Sequence, residues 1–108
     1  MPCALDLTGL LATAKADALI TLKLIAKVSI IQRASLNDSD ITPNISSSGK
    51  SLSFKVLAGR NKIVLVLLPP PTSESMQIVE DCGGGNTQPI ISFGSGIHAS
   101  ITFDIIAS

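Results

Sequence analysis

The residues that could carry chemistry are few, and most sit in short local motifs. Gly94-Ser95-Gly96-Ile97-His98-Ala99 has the glycine spacing of a dinucleotide-binding turn. That turn works by aiming the N–H groups of a following helix at a pyrophosphate. A strand-like alternation follows here instead, so a hairpin turn is the simpler reading. Ser48-Gly49-Lys50-Ser51 holds the G-K-S of a phosphate loop, but position 44, where that loop needs a second glycine, is Asn44. With no helix pattern behind it there is no cradle of backbone donors. His98, the one histidine, shares strand parity with Ser100 and Asp104. On one strand these lie about 7 Å and 20 Å away, too far for a triad within the chain. Glu80-Asp81 cannot act as an acid pair, because neighbouring strand residues point to opposite faces.

Two features leave room for binding. Asn37-Asp38-Ser39-Asp40, with Asn44 nearby, offers carboxylates and amides from a loop, although the spacing of a helix-loop-helix calcium site is missing. Asn37-Asp38-Ser39 and Asn44-Ile45-Ser46 also match the glycosylation acceptor. Cys3 and Cys82 either form one bridge or remain two thiols; their spacing fits no zinc pattern. No enzymatic constellation, cofactor site or metal set is expected.

Composition narrows the partners. Eight basic and eight acidic residues give no net charge, so the basic face that supplies nucleic-acid affinity is not expected. The chain is 45% apolar but has three phenylalanines and neither Trp nor Tyr. Its core must therefore be aliphatic, and the stacking surfaces used for bases and sugars are scarce. A neutral, apolar chain favours association over a solitary life in water. No cleavable signal peptide is evident, since Asp6 interrupts any apolar run and no basic segment precedes it. The longest apolar run, 63–68, is too short for a membrane helix.

Positioning follows from period-two patterns. In Ala18–Gln32 every even position up to Ile30 is apolar, which marks a half-buried strand. Fifteen extended residues would span about 50 Å, so this strand must bend, split, or project towards another subunit. Residues 34–50 read as a long polar loop. Residues 51–58 and 63–68 read as a hairpin around Gly59-Arg60-Asn61, and 75–80 as a short strand with Met76 and Ile78 inward. Residues 81–87 read as a glycine turn, and 89–93 with 97–106 as a second hairpin. In the last strand Ile101, Phe103 and Ile105 face in, while His98, Ser100, Thr102 and Asp104 face out.

The expectation is an all-β chain: an N-terminal arm or short helix over 1–17, then one antiparallel, jelly-roll-like β-sandwich of about six strands over 18–108. Functionally it points to a non-enzymatic assembly subunit, such as a virion shell, tail or decoration component or an extracellular filament. That subunit would join other copies through strand edges and the arm. Lys23, Lys27, His98, Ser100 and Thr102 are the expected interface. The alternative is a ligand-binding sandwich, for carbohydrate or a calcium-dependent ligand, using Asp38, Asp40 and Asn44, with loops 34–50 and 81–88 on one rim.

Overall fold

A computed structural model describes residues 3–9, 11–68, 76–93 and 100–108. The chain is all-β, and its described residues form nine strands in two packed sheets: β1 Ala12–Ala14, β2 Leu19–Ile25, β3 Ile30–Leu36, β4 Ser39–Asp40, β5 Ser51–Lys55, β6 Gly59–Leu68, β7 Met76–Gly83, β8 Asn86–Phe93 and β9 Ser100–Ala107. The five-stranded sheet runs β1-β9-β6-β3-β4 and the four-stranded sheet β5-β2-β7-β8. Every pairing is antiparallel except β1 on β9. The core lies between the sheets. Ile20, Leu22, Leu24, Leu52, Phe54 and Ile78 from one sheet meet Ile31, Ile63, Leu65, Leu67 and Ile105 from the other. No helix of the described residues is long and apolar enough to cross a membrane.

The overlong segment splits. β2 keeps its even positions inward as far as Leu24, then a turn at 26–29 carries the chain into the other sheet. The Lys50 ammonium organises that turn by donating to the carbonyls of Ala26 and Ser29. Val28 and Ile30, which continue the even pattern, are 67% and 37% exposed, whereas Ile31 is buried. The apolar phase therefore flips at the turn, where the chain changes sheet.

Both expected hairpins are wrong. β5 pairs with β2 while β6 pairs with β3 and β9, so 56–58 is a crossing between sheets. β8 pairs with β7 and β9 with β6; the expected turn at Gly94–Gly96 lies outside the described residues. The real hairpins are β7–β8 across Gly84-Gly85 and β3–β4 across Asn37-Asp38. In the second, Asn37 and Asp38 both take positive φ (52° and 68°), the mirror-image turn whose twist matches its strands. The polar stretch 34–50 is thus not a bare loop. It completes β3, forms β4 and a 3-10 turn at Thr42–Asn44, and bridges Ile45 to Leu52 on the opposite sheet.

No helix forms in the described part of 1–17, and that segment does not project. Asp6 bridges Thr13, Leu5 is buried, and β1 lies along β9. Gly9 and the alternation around Asp6 outweigh the alanines once this edge is available.

The sheet edges are guarded. β1, β4 and β5 have three, two and five residues. β8, with eight, is the long edge among the described strands, and it carries Pro89 opposite a register shift. Short, proline-bearing or bulged edges discourage unplanned pairing.

Candidate functional site

The outer face of the five-stranded sheet holds two neighbouring concave surfaces. Cross-strand register sets it out in rows: Ser35 opposite Val64 opposite Thr102, and Arg33 opposite Val66 opposite Ser100. Val64 and Val66 stay half-buried between longer neighbours and form a floor. Above it lies a cleft of about 360 Å3 lined by Arg33, Ser35, Asp38, Asp40, Val64 and Val66. A second cleft, of about 490 Å3, is lined by Asn37, Asp38, Arg60, Lys62, Thr102 and Asp104, so Asp38 stands at the junction.

The charges here are mixed and partly engaged. Arg60 donates to Asp104 through Nε (3.2 Å) and Nη2 (2.6 Å), an exposed pair that adds little stability. Asp40 Oδ1 accepts from the Thr42 hydroxyl and from its N–H (3.0 Å), while that hydroxyl accepts from Ala34 N–H. The Thr42 side chain, then its backbone N–H, hold the Asp40 carboxyl below the ordinary aspartate range, and Arg33 adds attraction. The side chains of Asp38 and Lys62 make no hydrogen bond or ion pair among the described residues. Three cations facing three carboxylates over a small-residue floor suit a zwitterionic or hydroxyl-rich group better than a polyanion.

The expected site residues divide between places. Asp38 and Asp40 share the first cleft. Asn44 turns away, donating to the Ser53 carbonyl on the other sheet (2.9 Å). Ser100 and Thr102 are exposed on the five-stranded face, whereas Lys23 is exposed on the opposite outer face and Lys27 in the turn after β2. His98 lies outside the described residues. β2, in the 18–32 segment expected to offer an edge, is flanked on both sides by β5 and β7. Loops 34–50 and 81–88 lie towards opposite lateral edges of the sandwich. β4 sits on the β5 side, through the Ile45–Leu52 bridge, and β8 is the opposite edge of that sheet.

A second constellation was not anticipated from the sequence. Cys3 and Cys82 are joined in a disulfide with Cα atoms 4.7 Å apart, so the open question of one bridge or two thiols closes on the bridge. Beside it Glu80 is 2% exposed. Its Oε2 accepts from Ala4 N–H (2.9 Å), and its Oε1 from Leu5 N–H (3.1 Å) and Gln88 Nε2 (2.8 Å). Gln88 Nε2 also donates to the Leu5 carbonyl. Cys3, Glu80 and Cys82 gather potential metal-ligating atoms within 4.8 Å, but the sulfurs are bonded to each other and offer no thiolate. This is a fastening for residues 3–5, and strand parity with Met76 and Ile78 already placed Glu80 inward. Asn61 is a similar case: fully buried, it donates to the carbonyls of Leu57, Gly59 and Ile105 and accepts from Leu57 N–H. The G-K-S lysine is occupied by the β2–β3 turn.

No family model matches this chain, and neither does any curated protein or solved structure.

Proposed function

We propose that the chain is a non-enzymatic structural subunit that assembles with copies of itself or with other subunits, as a shell, tail or decoration component of a virion or as part of an extracellular filament. The scaffold is a β-sandwich of jelly-roll-like character. Among the described strands, six of the eight successive pairs lie in different sheets, and β3–β4 and β7–β8 are the hairpins. The observation that carries the reading is the apolar end of the sandwich. Ile25 (47% exposed) closes β2, Val28 (67%) occupies the turn, and Ile30 (37%) and Leu68 (39%) are cross-strand partners. Scattered exposed aliphatics need no explanation, but four gathered at one end of a small domain favour a covered surface. Lys23 and Lys27 flank it on one side and Ser100, opposite Val66, on the other, so these expected interface residues border the patch. A disulfide is kept in oxidising surroundings, which favours an extracellular or virion setting.

Light scattering of the wild type beside Val28→Asp and Ile30→Asp tests this. The wild type is expected above monomer mass and the variants at 11.2 kDa. Equal masses for all three would remove the patch from the account. The joined clefts favour a second reading, a module binding a hydroxyl-rich ligand such as a carbohydrate. Glycan-array binding lost in Asp38→Asn, a change the positive-φ turn tolerates, would move the assignment there.

A further inference from the structure

We propose that the N-terminal segment, described at residues 3–9 and 11–14, is an exchangeable strap whose latch, Cys3–Cys82, closes either within one chain or between two copies. The proposal rests on the assembly reading and names a covalent contact for it.

The strap is separate from the body in every contact that fastens it. Cys3 bonds Cys82, Ala4 and Leu5 donate to Glu80, and β1 lies along β9. All these acceptors belong to the body, so the strap of a second copy satisfies the same groups with the same residues. Such an exchange closes a symmetric dimer when reciprocal and builds a chain when it is not.

The hinge supplies the reason to open. Residues 15–18 turn the chain from β1 into β2, and Asp17 sits there at φ +65°, a conformation that a residue other than glycine holds at a cost. Asp17 N–H is spent on the Val56 carbonyl and Ala18 N–H on Lys15. Short, strained hinges promote swapping, because a straightened hinge loses the strain.

The latch can be passed on without net oxidation. Both cysteines are half-buried and neither is fully enclosed, and the exchange begins with a small thiolate such as glutathione. It bonds to the Cys82 sulfur, breaks the bond to Cys3 and releases the Cys3 thiolate. The Cys3 thiolate of a second copy then bonds to that Cys82 sulfur and expels the small thiolate. One disulfide is replaced by another and the thiol is returned.

The test mixes equal amounts of isotope-labelled and unlabelled oxidised protein in a glutathione redox buffer. The mixture is alkylated and digested, the peptides linked through Cys3 and Cys82 are weighed, and light scattering runs in parallel. Mixed-isotope pairs are expected to appear, up to about half of all pairs, the limit reached when every latch closes between random partners. Asp17→Pro, which cannot hold the positive φ, should raise the initial rate at which mixed pairs appear about fivefold, and Asp17→Gly should lower it about as much. Assembled protein whose linked peptides all stay single-isotope, in the wild type and both variants, overturns strap exchange and leaves the assembly reading standing. Mixed pairs appearing only after thiol treatment, in protein otherwise monomeric at every concentration, support the strap and remove the assembly reading.

Discussion

Replacing both cysteines, Cys3→Ser with Cys82→Ser, probes how far the N-terminal segment belongs to the cooperative fold. The bridge spans a sequence separation of 79 residues, most of the chain. On the loop-entropy model, freeing such a loop restores about 15 cal/mol/K to the unfolded chain, or about 4.5 kcal/mol at 25 °C. The native state should survive, because Glu80 still receives Ala4 and Leu5, Leu5 stays buried and β1 stays on β9. The expected loss is therefore about 3–4.5 kcal/mol, enough to lower the melting temperature by about 20 °C in a domain of this size. With neither Trp nor Tyr in the chain, unfolding is best followed in urea by far-UV circular dichroism. The denaturant slope should also rise, since the unfolded variant is no longer cross-linked and exposes more surface. A loss under about 1 kcal/mol with an unchanged slope would mean that the segment frays independently of the body, and the reasoning would fail.

Asn61→Ala should cost about 2 kcal/mol by urea unfolding, because it removes the buried amide that accepts from Leu57 N–H and donates to the Ile105 carbonyl. Gly49→Ala and Gly59→Ala form a contrasting pair, both at positive φ. A Cβ at Gly49 would stand 2.7 Å from the Ile30 Cβ, while one at Gly59 meets nothing within 4 Å. Losses of about 3 kcal/mol and about 1 kcal/mol are expected, and equal losses would contradict the close approach. Asp6 and Asp40 are both held below the ordinary aspartate range by hydrogen bonds from Thr8 and Thr42. Their stabilisation is present above the unfolded value and lost as pH falls through the folded one. Carboxyl chemical shifts of both should keep the anion's values to lower pH than an ordinary aspartate, and Thr42→Val should move Asp40 part of the way back, since the backbone N–H at 42 and Arg33 remain.

Strand content and facing were legible; strand partners were not. The inward sets Ile20-Leu22-Leu24, Leu52-Phe54 and Met76-Ile78 follow from alternation, which depends on residues two apart and needs no knowledge of the neighbour. Pairing depends on long-range register, and adjacent strands invite a hairpin reading. β5 and β6 are joined by three residues yet lie in different sheets. The Asn37-Asp38 hairpin was hidden because its residue types also suit an open loop. Glu80 and Asn61 could have been found. Each falls in phase with buried neighbours, and a polar residue on an inward position must be met by partners from elsewhere. The end patch escaped notice because Val28 and Ile30 continue an inward rhythm that the Lys50-bound turn breaks.

Sedimentation equilibrium of the oxidised wild-type chain, over a concentration range reaching high micromolar, tests the assembly claim most directly. The account predicts a weight-average mass that climbs above 11.2 kDa with concentration. A mass fixed at 11.2 kDa throughout would contradict it.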